Sequence, residues 1–262
     1  PLVFAGALCM LAQRQKGITY TGHLLQFGEV SDRRFLLDDL TPEKGRALSD
    51  SDFPVLDPQA GEAMKNELEN CIAKGDSVGG SVECAVLGLP VGIGSHMARS
   101  VEATLSGYLF AIPAVKGVEF GEGFGFAALH GSEANDGYEV GENGEIRLCS
   151  NHCGGVLGGM TCGTPLVFRA VFKPTPSISL PQKSVDLKTN ENATLRVTGR
   201  HDPCIVHRAA PGVNAMIALT LADATLIVTK DFVCAGSLAF SGAAELDFAG
   251  DVDQTAWLGG KT

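Results

Sequence analysis

The chain has 262 residues and a net charge of −10, from 20 basic and 30 acidic side chains. That balance excludes a general nucleic-acid or membrane-surface binder, whose affinity rests on neutralising phosphates. Hydrophobic residues make up 45% of the chain and glycine 33 positions, about twice the usual share, so the glycines belong to a globular protein with many special backbone angles. The length suits one large domain or two small ones, and no linker divides it.

Leu2 to Lys16 predicts a helix, apolar on nearly every side and stopped by Gly17. A helix of that kind is normally buried. Standing uncapped at the start of the chain, it leads us to expect a missing upstream segment. Ile18 to Phe27 reads as a strand, and Ser31 to Pro58, polar and rich in charge runs, as mostly loop. Gly61 to Lys74 is an amphipathic helix with Met64, Leu68, Cys71 and Ile72 on one face and Gly75 closing it. Val82, Cys84 and Val86 alternate along a strand from Ser81 to Leu87. Ser100 can cap a helix that Pro113 ends after Ile112.

Val115 to Phe120 looks extended, and residues 131–164 are loop-rich. Leu166, Phe168, Ala170 and Phe172 alternate along a strand from Pro165 to Lys173, and Ala193 to Thr198 is another. A long apolar helix runs from Pro211, in its first turn, to about Lys230. Strands slightly outnumber helices and do not alternate with them regularly. The expected class is α+β with antiparallel sheets. No run of about 18 apolar residues exists; the longest candidate, Ala215 to Val228, is broken by Asp223.

The eight cysteines are Cys9, Cys71, Cys84, Cys149, Cys153, Cys162, Cys204 and Cys234. None forms a Cys-x-x-Cys pair. The expectation is reduced, mostly buried thiols in a cytoplasmic protein. Cys149, His152, Cys153 and Cys162 fit no standard zinc spacing, so no metal site is expected.

Three segments could carry chemistry. In Lys173-Pro174-Thr175-Pro176-Ser177, a lysine and alternate hydroxyls follow a strand, and two prolines stiffen the chain. This suits a phosphate or carboxylate clamp, and equally a strand end with a solvated lysine. In Gly199-Arg200-His201-Asp202-Pro203-Cys204, Arg200 can grip an oxyanion and Asp202 or His201 can move a proton. The same residues could make a salt-bridged turn. In the stretch from Asn151 to Gly163, two glycine pairs would let backbone approach a flat ligand, or simply form turns. Gly75-Asp76-Ser77-Val78-Gly79-Gly80 needs no more than a helix stop and a tight turn into a strand.

Taken together and in this order, the segments resemble the chorismate synthase family. The resemblance rests on Gly75–Gly80, Leu89–His96, Ile112–Gly121 leading to Gly131–Asp136, Gly154–Gly163, Phe172–Ile178 and Gly199–Cys204, and spans about residues 1–240. It implies a lyase that eliminates phosphate from 5-enolpyruvylshikimate 3-phosphate with reduced FMN and no net redox change. NADPH is a possible flavin reductant. The implied fold is a single domain over 1–262, a β-α-β sandwich with helices packed between two antiparallel sheets, assembled as a homotetramer.

By the same resemblance, Pro113, Ala114, Gly158, Lys173, Pro174, Thr175, Pro176, Ser177 and Arg200 match positions that hold FMN. Asp202 matches the acid placed near the flavin N5, and Arg200 also borders the substrate. Ala111 and Cys162 stand where the family usually has Ser or another polar residue. The family's N-terminal blocks, with a proposed acid histidine and most of its arginines, are not in this sequence. The chain is therefore expected to be a C-terminal part, inactive alone, with Leu2, Val3, Phe4, Leu8 and Leu11 uncovered. The alternative is a non-catalytic remnant that keeps oligomerisation and partial flavin binding.

Overall fold

The computed structural model describes residues 1–144 and 146–225. In chain order the elements are α1 (Leu2–Arg14), β1 (Thr19–Phe27), β2 (Val30–Ser31), α2 (Pro42–Ser49), α3 (Pro58–Lys74), β3 (Gly80–Leu87), α4 (Val101–Phe110) and β4 (Val115–Phe120). There follow α5 (Gly131–Ala134), β5 (Tyr138–Val140), β6 (Ile146–Leu148), β7 (Val156–Leu157), β8 (Met160–Thr161), β9 (Leu166–Phe172), β10 (Gln182–Asp186), β11 (Glu191–Leu195) and α6 (Val206–Thr225). The α+β class with antiparallel sheets is as expected. The expected end of the last helix near Lys230, and Cys234, lie outside the described residues.

A five-stranded sheet in the order β2-β1-β3-β9-β4 is antiparallel throughout. Its register separates two chemistries, because successive side chains point to opposite faces. One face aligns Tyr20, Val86 and Leu166, then Leu24, Val82, Ala170 and Val118, with Phe168 opposite Phe120. These join Val213, Ile217 and Leu221 of α6 and Leu105 and Leu109 of α4 in one buried core. Helix α1 lies on α6 so closely that a Cβ on Gly6 would sit 2.4 Å from Ala215. Gln13 of α1 links the layers, donating to the Ala218 carbonyl at 3.2 Å and accepting from the Tyr20 hydroxyl. The far side of α1 leaves Leu2, Val3, Phe4, Leu8 and Leu11 exposed, Phe4 by 70%. Among the described residues the helix layer is faced by this one large sheet; the other sheets have two strands each.

The opposite sheet face carries a transverse row of charge. His23, Glu83, Arg169 and Glu119 stand side by side on four adjacent strands. The His23 ring nitrogens lie 3.2 Å from Asp32 and 3.0 Å from Glu83. Arg169 donates to Glu83 at 3.2 Å, to Glu119 at 2.6 Å and to the Gly121 carbonyl. Asp32 also accepts the backbone N–H groups of Arg33, Leu56 and Asp57, and Glu83 that of Phe35. The row thus fastens the covering segments to the sheet. Helix α2 completes the cover, Gly45 lying against Thr21.

Burial disfavours a charge on His23, but the hydrogen bonds to Asp32 and Glu83 outweigh it and hold its pKa raised. Burial likewise opposes charge on Asp32 and Glu83, and their hydrogen bonds to His23 and to backbone N–H groups hold both lowered. The sign follows by linkage: His23 adds stability that is complete below its unfolded pKa of about 6.5 and is lost as pH rises through the folded value. Melting temperatures are therefore expected to fall on the alkaline side, and His23→Gln to flatten that limb. An identical alkaline decline in the variant would remove His23 as its source.

Three local expectations are corrected. The stretch expected to be loop contains α2, because Thr41 caps it by accepting the Lys44 N–H at 3.3 Å and Pro42 presets the first turn. Helix α6 begins at Val206, so Pro211 is inside the helix rather than in its first turn. Strand β11 ends at Leu195, short of Thr198, and pairs with the unforeseen β10 in an exposed hairpin. The caps at Ser100 and Gly75 are as expected: Ser100 accepts the Ala103 N–H at 3.0 Å and Gly75 is left-handed at φ 66°.

Candidate functional site

Strands β4 and β9 pair up to Val115 opposite Phe172, which places the ends of two predicted segments together. The Lys173 N–H donates to the Ala114 carbonyl at 2.9 Å. Ala114 holds φ 74°, a left-handed angle that a side chain disfavours by roughly 1–3 kcal/mol and that recurs at functional corners. Pro113 before it and Lys173 and Pro174 after the junction are exposed. The Thr175 hydroxyl is buried and has no hydrogen-bond partner. A hydroxyl without an acceptor, two residues from an exposed lysine, suits a ligand that brings acceptor oxygens, and phosphate is one.

The loop before β3 joins this corner to the segment of Arg200 and Asp202. Ser77 donates its hydroxyl to the Thr175 carbonyl at 2.7 Å, and Ser179 N–H donates to the Gly75 carbonyl at 2.9 Å. On the other side the Val78 N–H donates to the Pro203 carbonyl at 2.7 Å. By residue types alone this loop needs no more than a turn, although Gly75–Gly80 is one of the segments that carry the family resemblance. The signal that could have found it is its two small, flexible glycines beside a hydroxyl, which allow close approach: a Cβ on Gly79 would lie 2.7 Å from the Phe172 carbonyl.

Arg200 and Asp202 are both exposed. Asp202 is ion-paired with Arg208 in the first turn of α6, a residue that sequence reasoning did not single out. His201 between them has a buried Nε2 without a partner.

Gly158 stands apart from this corner. It turns the β7–β8 hairpin at φ 60°, and a Cβ there would meet nothing within 4 Å. It borders an open cavity of about 530 Å³ with Ser100, Ala103, Val118 and Phe120. That volume falls in the range of small-molecule sites. Glu102, on the same wall, has a buried carboxylate oxygen without a partner. The cavity lies at the N-terminal end of α4, whereas Pro113 lies just past its C-terminal end, about 15 Å away along a ten-residue helix.

The cysteine cluster is organised by an acid. Asp136 accepts the N–H groups of His152 at 2.6 Å and Cys153 at 2.9 Å, and the Ser150 hydroxyl at 2.8 Å. Burial would raise its pKa, but these donors hold it lowered. The described thiols are free; Cys71, Cys84 and Cys204 are buried, while Cys9, Cys153 and Cys162 are half-buried and Cys149 is exposed, more open than expected. Among the described residues no helix is long and apolar enough to cross a membrane.

Comparison with known proteins bears on this geometry. The family model for chorismate synthase matches residues 1–226. The chain is 45% identical over 223 residues to chorismate synthase of Thermococcus kodakarensis, covering 85% of this chain and 60% of that protein. It is 42% identical over 224 residues to that of Dehalococcoides mccartyi, covering 86% and 60%. It is 40% identical over 221 residues to that of Methanothermobacter thermautotrophicus, covering 84% and 58%. A crystal structure of chorismate synthase is 28% identical with a TM-score of 0.62, covering 85% of this chain and 61% of that one. The chain thus spans about 60% of the length of the curated relatives it matches.

Proposed function

Since the chain belongs to the chorismate synthase family, we propose that the protein is a phosphate lyase. It eliminates phosphate from 5-enolpyruvylshikimate 3-phosphate in an anti-1,4 sense to give chorismate, with reduced FMN as cofactor. The observation that carries this reading is the corner where Ala114 meets the exposed Lys173, with the Thr175 hydroxyl two residues on buried and unsatisfied. Reduced FMN, when bound, supplies electrons that the reaction returns, so none are consumed overall.

The chain's own groups divide the work. Lys173, Thr175 and Ser177 bind the flavin phosphate, with Pro174 and Pro176 holding the segment extended. Pro113 and Ala114 bring backbone against the cofactor, and Gly158 admits a flat ring without a side chain in the way. Arg200 pairs with an anionic oxygen of flavin or substrate, and Asp202 holds or releases the proton at the flavin N5. Arg208 keeps the Asp202 carboxylate oriented through their ion pair. Gly158 and Lys173 lie toward opposite ends of α4. We take the protein to assemble as a homotetramer, as its resemblance to the family implies. We place the protein in the cytoplasm, where this biosynthetic chemistry belongs.

Lys173→Ala in the full-length protein is expected to weaken FMN binding by about 1.5–3 kcal/mol, the worth of a hydrogen bond to a charged group. Flavin fluorescence titration reads the change directly. Unaltered affinity would remove Lys173 from the phosphate site.

A further inference from the structure

Two parts of the proposed flavin site, residues 173–179 and 199–203, are separated in the chain by the exposed β10–β11 hairpin. That hairpin is a poor spacer: of its ten strand residues only Gln182 and Ala193 are even half-buried. The register of the two parts must come from elsewhere. The loop at 75–79 touches both. Its Ser77 hydroxyl reaches the Thr175 carbonyl at 2.7 Å, and the next residue's N–H reaches the Pro203 carbonyl at 2.7 Å. The backbone of Ser77 is itself fixed, since its N–H donates to the Asp76 carboxylate at 2.8 Å. Behind it, Gly79 lies flat on Phe172 and Pro174, where a Cβ would be 2.7 and 3.0 Å from their atoms.

We infer that Ser77 is a positioning residue for the cofactor. Its hydroxyl fixes the Thr175 peptide, and so the directions of the Thr175 and Ser177 hydroxyls, relative to the Asp202–Pro203 segment. It touches neither cofactor nor substrate and acts through Lys173–Ser177. The inference rests on the reading of that segment as the FMN phosphate site. The geometry favours this role over simple loop stability for one reason. The Ser77 hydroxyl is spent on a residue 98 positions away, whereas the loop's own turn is already closed by backbone bonds from Gly75 and Asp76 to α3.

The test is a double-mutant cycle on FMN affinity in the full-length protein, with Ser77→Ala, Lys173→Ala and both together. Ser77→Ala is expected to weaken FMN by about 5- to 10-fold, the scale of one neutral hydrogen bond, with Ser77→Thr restoring most of it. In the Lys173→Ala background the same change should cost about 2-fold or less, because residues that act as one unit are not additive. Full additivity, or no loss in Ser77→Ala while Lys173→Ala binds poorly, overturns the inference and leaves the phosphate reading standing. No loss in Lys173→Ala overturns the phosphate reading, and the role of Ser77 with it. Should the alanine form not fold, Ser77→Cys, of similar size and a weak donor, takes its place in the cycle with the same expected signs.

Discussion

Arg169→Met is expected to destabilise the protein by about 3–5 kcal/mol, the cost of leaving a buried charge without its partner. Arg169 is 3% exposed and stands between Glu83 and Glu119 on neighbouring strands. Methionine matches its bulk, so the loss is electrostatic rather than a cavity. It strands Glu83, itself 1% exposed, with only His23 to balance two carboxylates. The loss is a large part of a domain's usual 5–15 kcal/mol. Urea denaturation measures it, as a lower midpoint at unchanged slope. A midpoint within error of the parent would mean that the row is not held as charge. The double change Glu83→Gln with Arg169→Met should recover part of the loss, since it removes the stranded charge.

Asp202→Asn is the second large effect, and it falls on turnover. Asparagine keeps size and most hydrogen bonding but takes up no proton. In the full-length enzyme turnover should drop by about 100-fold or more, the scale of one acid–base group, with FMN affinity little changed. Asp202 is ion-paired with Arg208 at the surface, so the substitution leaves no buried group unsatisfied and the fold should persist. Parallel losses of affinity and turnover would instead mark Asp202 as an anchor for the Arg200 loop.

Much of this architecture is legible in the sequence because it is local. Alternation at Val82, Cys84 and Val86, and at Leu166, Phe168, Ala170 and Phe172, marks central strands. Gly75 marks a helix end by its left-handed backbone and Ser100 by its hydroxyl, and both act within four residues. Helix α2 is hard to see because charge runs mask a short, polar helix, although its cap, Thr41-Pro42, is as local as the others.

What the sequence hides is register. Glu83 and Arg169 look like polar interruptions of apolar strands, and only pairing across 86 positions shows them to be partners. The loop at Ser77 is likewise bland until folding brings Thr175 and Pro203 to it. The chemical segments themselves, Lys173–Ser177 and Arg200–Asp202, were visible as residue types. Their meeting through the loop at 75–79, and the distance of Gly158 from them, follow from tertiary structure alone.

Phosphate elimination with the help of reduced flavin is the activity proposed for this protein. The most direct measurement supplies the full-length protein with 5-enolpyruvylshikimate 3-phosphate and reduced FMN under anaerobic conditions, and follows chorismate by its ultraviolet absorbance and phosphate by release. The account predicts steady turnover with one phosphate released per chorismate formed and no net oxidation of the flavin. Folded, flavin-loaded protein that releases no phosphate, or that consumes reduced flavin in step with substrate, would contradict it.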